Sequence, residues 1–390
     1  MARTVFFHVG LPKTGTTYLQ TLLWNNRAEL CRQGVLFPGG SRREHLLASG
    51  VVRDDPRLDR RGPEAAGSWR RLLEEVHAWP GTAVVSHEFF AAASAEQAAR
   101  AIEDLQAAEV HVVVTARDTL SLVTARWQEF VKNGSTAHID DYPGAREPAH
   151  LDDWGWPTLD LADVLARWGA SVPRERVHVL TMPRPDEPRD ALWLRFAELV
   201  GFDPARCDTG SSMRNESLGV VEVELLRRVN ARLVGFTSAP DRGNWIRGYL
   251  AQGKLVPRGG ERFWPSDARV AELTARGNRI VEAVQAAGYD VIGDLDDLRP
   301  PAEVAPRRHP DGVTDAELLD AATGLVADLM TDVRRFRDRG ARRRRRGQGG
   351  GPRVLLARLP EPVRGPLRRW RSSARGVVRR RLGLARPGRG

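Results

Sequence analysis

The sequence predicts an α/β fold of three layers, α/β/α, around a central parallel sheet, with a helical C-terminal half and a basic tail expected to be disordered. Three observations predict it. Short apolar runs recur between amphipathic helical stretches, the pattern of strands covered on both faces. The first run opens into a glycine-containing loop and then a helix, where backbone amides can meet an anion. The 390 residues are 41% hydrophobic, enough for one large core, and no apolar run approaches the roughly eighteen residues that a membrane span needs.

The elements follow in order. Residues 5–9 are the first expected strand, and residues 16–26 the helix after its loop. Residues 83–86, 110–115 and 177–180 are three more strands, short and rich in valine. Helices are expected over 119–131, 161–168 and 191–200, and helical pattern dominates 220–287. Two segments read as insertions forming an acceptor lid. Residues 133–158 hold Tyr142, Trp154 and Trp156, and residues 236–266 hold Trp245, Tyr249, Phe263 and Trp264. Their aromatics either line a pocket or anchor long loops. One domain is therefore expected over 1–300, a linker and helix over 301–339, and an Arg-rich tail over 340–390.

Charge is unevenly distributed. From Arg334 onward there are 21 arginines against Asp338 and Glu361, a surplus of +19; set against the whole chain's +10, this leaves −9 on residues 1–333. The basicity thus belongs to the tail and says nothing of what the body binds. Of 60 basic residues, only Lys13, Lys132 and Lys254 are lysines, which raises the question of what a compact ammonium does at each. Lys132, near a helix C-terminus, is read as a complement to the helix dipole. Cys31 and Cys207 are too few for a disulfide framework. With no leader-like N-terminus, the expected location is the cytoplasm, peripheral to a membrane if the tail binds there.

Gly10-Leu-Pro-Lys13-Thr14-Gly15-Thr16-Thr17 is the candidate phosphate loop. Its glycines allow close backbone approach, the helix start offers unpaired N–H groups, and Lys13 adds a point charge. It differs from G-x-x-x-x-G-K-[ST], because the lysine precedes the second glycine. Pro12 to Gln20 resembles the 5′-phosphosulfate loop of the sulfotransferase family. The resemblance implies a fold related to P-loop kinases and a donor, 3′-phosphoadenosine 5′-phosphosulfate. It further implies that Lys13 contacts the 5′-phosphate and bridging oxygen while the amides of Thr14, Gly15, Thr16 and Thr17 cradle the phosphate.

The family binds the 3′-phosphate through an arginine after a central strand and a serine eight residues later. Arg117 stands at the first position; the second is Ala125, leaving Ser121 or Thr124 as the hydroxyl. A base for the acceptor proton is expected from His87 or Glu88, at the end of the second predicted core strand, the edge where open parallel sheets bind ligands. His8, His111 and His178 sit in strand patterns and are read as packed residues. No metal-ligand cluster is evident. Arg242, Arg247 and Lys254 are further candidates for the nucleotide.

The expected acceptor is a hydroxyl or amine of a carbohydrate, lipid or natural product. The tail's charge suits an anionic membrane surface, and nucleic acid is not the expected partner. Two alternatives stay open: a magnesium-dependent P-loop kinase or nucleotide triphosphatase, and a non-catalytic nucleotide-binding protein.

Overall fold

The computed structural model describes residues 2–105, 108–144, 155–184, 186–210, 217–300 and 307–349. Its strands are β1 (Thr4–Gly10), β2 (Val35–Leu36), β3 (Thr82–Ser86), β4 (Glu109–Ala116), β5 (Val177–Thr181) and β6 (Asp290–Ile292). They form one sheet in the order β2-β3-β1-β4-β5-β6, and every pairing is parallel. Helices flank it. The four expected core strands are present, each longer by one or two residues. β2 and β6 escaped prediction because two or three residues at a sheet edge show no periodicity.

Alternation along β1 explains the layers. Phe6 faces a cluster with Leu22, Leu23, Val84, Trp193 and Phe196, which belong to the helices Thr16–Asn25 and Ala191–Val200 and to β3. Phe7 points the other way, onto Trp69, Phe90 and Trp168 at ring-centroid separations of 5.9, 4.8 and 4.8 Å. Successive strand residues point to opposite faces, so two adjacent phenylalanines nucleate two separate cores.

The chain leaves β1 towards β2 and β3 on one side, whereas β4 leads to β5 on the other. The topological switch therefore lies between β1 and β4, where open parallel sheets bind ligands at the carboxyl ends of their strands. The β1–β4 register slips between His8 and Gly10, a bulge that re-aims the chain just before its loop.

The chain divides into two compact units, residues 1–322 and 323–390. The last helix runs Asp315–Gly349, past residue 339, where the sequence reading ended the linker and helix. The tail from residue 350 lies outside the described residues, as do Trp154 and the rest of 145–154 in the first insertion. No described helix is long and apolar enough to cross a membrane.

Candidate functional site

The loop after β1 is shaped by two glycines. Gly10 has φ +133°, and a Cβ there would lie 3.1 Å from the Glu88 carbonyl oxygen, so the loop packs directly on the backbone following β3. Gly15 has φ +82°, and its Cβ would meet Leu192 Cδ2 at 2.4 Å. Both positions need a residue without a side chain and with access to the left-handed region. Gly15 is also the N-cap of Thr16–Asn25 and supplies no capping side chain, leaving the first-turn N–H groups to face the loop. Lys13 itself adopts φ +67°, a backbone setting that non-glycine residues seldom hold outside functional sites.

The loop hydroxyls divide by role. Thr14 is fully buried; its Oγ1 donates to the Leu11 carbonyl and lies 2.6 Å from Thr115 Oγ1. Thr115 in turn donates to the Gly10 carbonyl at 3.0 Å, and His8 bridges Thr115 to Ser86 at 3.2 and 2.8 Å. This buried chain braces the loop from below. The Thr14 hydroxyl therefore serves the loop's shape, and its amide is what remains for a phosphate. Thr16 is buried, and Thr17 is exposed at the helix start.

Lys13 Nζ donates to Glu129 Oε2 at 3.2 Å. Glu129 is a residue that sequence reasoning missed, on the helix Thr119–Lys132. Two more cations join it: Lys132 Nζ at 3.9 Å from Oε2 and Arg247 Nε at 2.8 Å from Oε1. Burial alone would raise the Glu129 pKa, but Lys13, Arg247 and Lys132 outweigh it and keep the carboxylate ionised. Burial also pulls the Lys132 ammonium down to about 8, with Glu129 opposing and Lys13 and Arg247 adding to the fall. Lys132 thus sits buried in a charge cluster, where the sequence suggested a simple dipole complement.

Arg117 follows β4 and reaches the loop, its Nη1 donating to the Lys13 carbonyl at 3.4 Å. Its Nε is buried with no hydrogen-bond partner. Burial depresses its pKa, Asp118 opposes this, and Arg262 adds to the depression. Arg307, stacked 3.8 Å over Trp264, likewise feels Arg262 and Asp118. Arg117 and Arg307 thus both feel the carboxylate of Asp118 and the charge of Arg262, a surplus of positive charge that favours an incoming anion. Asp118 caps the helix by accepting from the Ser121 amide at 2.8 Å. Thr124 Oγ1 donates to its own helix at Leu120 O, 2.8 Å away. Of the two hydroxyls considered for this place, Thr124 is committed to the backbone, whereas Ser121 has no side-chain partner among the described residues.

His87 and Glu88 follow β3, one strand from the loop. His87 Nδ1 accepts from the Phe89 amide at 3.1 Å, so in the neutral ring the proton belongs on Nε2 and the lone pair is occupied. Glu88 is partly exposed, and its Oε2 accepts from Gln20 at 3.1 Å. Burial would raise its pKa, yet His87 when protonated, its own backbone amide, Gln20 and Arg126 together lower it. The carboxylate is thereby held ionised at the strand end.

The insertions sort by burial. Tyr142, Phe263 and Trp264 are buried anchors, and Trp156 is covered by Arg276 at 3.8 Å. Trp245 is exposed and meets Tyr249 edge-on at 6.0 Å, within the π-helical segment Arg242–Leu255 that also carries Arg247. Arg242 bonds to the Thr237 carbonyl, and Lys254 lies 5.5 Å over Tyr249, so of the three later candidates only Arg247 is seen at the Lys13 cluster. Glu129, Arg126, Arg262 and Arg307 were not predicted. The signal was the i, i+3, i+6 spacing of Arg126, Glu129 and Lys132, which on an apolar helix face marks buried charge.

No family model and no curated protein matches the chain. Among solved structures, it is similar to a sulfotransferase from Alicyclobacillus acidocaldarius at 15% identity and a TM-score of 0.36, over 60% of this chain and 94% of that one.

Proposed function

We propose that the chain is a sulfotransferase that moves a sulfuryl group from 3′-phosphoadenosine 5′-phosphosulfate to a hydroxyl or amine acceptor. The observation that carries this reading is the pair of anion sites joined at one carbonyl: the Gly10–Thr17 loop with Lys13, and the under-satisfied Arg117 on Lys13 O. The glycine cradle and the orphaned guanidinium Nε both fit a nucleotide with phosphates at its two ends. Lys13 and the helix-start amides would hold the 5′-phosphosulfate; Arg117, with Arg262, Arg307 and the Ser121 hydroxyl, would hold the 3′-phosphate.

Glu88 then acts as base. It takes the acceptor proton as the acceptor oxygen or nitrogen bonds to sulfur, while the bond from sulfur to the bridging oxygen breaks and its electron pair stays on the phosphate. Lys13 stabilises that developing charge, and His87 Nε2–H is the donor for an oxygen near the base. As in phosphoryl transfer, the chain's contribution is positioning and electrostatics.

The test is calorimetric binding of adenosine 3′,5′-bisphosphate in EDTA, with Lys13→Ala and Arg117→Ala beside the wild type. Metal-free binding that both variants lose supports the reading. Binding of ATP with magnesium, and none of the bisphosphate, would overturn it in favour of a kinase.

A further inference from the structure

The helix Thr119–Lys132 carries three charged side chains on one face, Arg126, Glu129 and Lys132, with exposures of 3%, 6% and 2%. Charged residues are almost never buried to this extent unless they are paired. Pairing does not balance here. Lys13, Lys132 and Arg247 converge on the one carboxylate of Glu129, and two positive charges are left over. The negative end of the helix dipole, about half a charge, offsets little of that.

The three cations come from three separate elements: the loop after β1, the end of the helix, and the segment Arg242–Leu255. Arg247 pairs with Glu129 by charge alone. Its Nε lies near Glu129 Oε1 without making a hydrogen bond, and its side chain is 52% exposed. Glu129 is thus a hub that gathers cations otherwise repelling one another.

We propose that Lys132 and Arg247 form, beside Lys13, a subsite for the sulfonate of the donor, the group that is transferred. This inference rests on the sulfotransferase reading. A phosphosulfate carries one negative charge on its phosphate and one on its sulfonate, which matches the surplus of two. Lys13 belongs to the phosphate loop, and Lys132 and Arg247 meet the same carboxylate from two other elements, as a subsite for the next group along the anhydride requires. Arg247 suits a group with three equivalent oxygens, because its planar fork donates two parallel hydrogen bonds. Neutralising the sulfonate there lets an electron-rich acceptor approach sulfur. The segment that carries Arg247 also carries Trp245 and Tyr249, so donor and acceptor recognition would share one element.

The experiment is calorimetry on the full chain with two ligands, the phosphosulfate donor and adenosine 3′,5′-bisphosphate, which lacks the sulfonate. Arg247→Gln and Lys132→Met are compared with the wild type. Each variant should weaken the donor by about tenfold or more and the bisphosphate by less than about threefold. Equal losses for both ligands, or none for either, would overturn the proposal. A wild type that binds neither ligand overturns the sulfotransferase reading and this subsite with it, a result distinct from the previous one. Lys132 is buried, so thermal melts accompany each titration. If Lys132→Met does not fold, the half-exposed Arg247→Gln decides.

Discussion

Lys13 Nζ and Glu129 Oε2, separated by 116 residues in sequence, lie 3.2 Å apart and tie the loop after β1 to the helix after β4. The contact spans the switch point of the sheet and couples the two elements that flank it. Glu129 is mostly buried and also faces Lys132, which is buried more deeply. Its removal leaves those cations without a counter-charge. Glu129→Ala should therefore cost about 3–5 kcal/mol of stability, the range for breaking a buried pair. Chemical denaturation checks the value, and a loss under about 1 kcal/mol would show that solvent or rearrangement supplies the missing charge.

Glu88→Gln keeps the shape of the side chain and removes the proton acceptor. Acceptor-dependent turnover, assayed over a panel of hydroxyls and amines, should fall by about 10²–10⁴-fold. Binding of the bisphosphate should change by less than about twofold, because the proposed reading puts Glu88 on the acceptor side. His87→Gln, which removes a donor and not the base, should cost less. A larger loss in His87→Gln than in Glu88→Gln would reverse the assignment.

Gly15→Ala tests the cradle. It places a Cβ 2.4 Å from Leu192 Cδ2 at a φ of +82°. The strain and the displaced leucine together should lower stability by about 1–3 kcal/mol and weaken the bisphosphate as the loop shifts. Gly34, also at positive φ but with open space around its Cβ position, is the control. Gly34→Ala should show the conformational cost alone and leave binding unchanged.

Acid should destabilise the fold through two buried histidines. Burial is the main cause that lowers His8 and His45 from 6.5 to about 4. The unfolded chain therefore binds more protons than the folded one between about pH 6.5 and 4, and stability rises with pH across that window. Read downward, the contribution of these two residues starts to fall near pH 6.5 and is spent below about pH 4. Each group can add up to about 1.4 kcal/mol per pH unit inside the window. Melting temperatures between pH 7 and 4.5 check this, with His45→Gln expected to flatten the slope. A wild-type curve that stays level to pH 5 would show that the two rings are protonated in the fold.

Sequence alone determined the sheet's core and the glycine loop that follows its first strand. Adjacent Phe6 and Phe7, the valines of β4 and β5, and the glycines around Lys13 are local signals, because strand alternation and left-handed turns depend on a few neighbouring residues. Arg117 was singled out through the family resemblance, as the arginine that follows a central strand. What only the tertiary structure decided is which charges meet. Glu129 looked like one more helix carboxylate until the fold placed Lys13, Lys132 and Arg247 around it. Arg262, far along the chain, acts on both Arg117 and Arg307. The Phe89 amide that occupies His87 Nδ1 likewise shows only in the fold. Electrostatic partnership depends on distance and burial in space, and neither can be read from spacing along a chain.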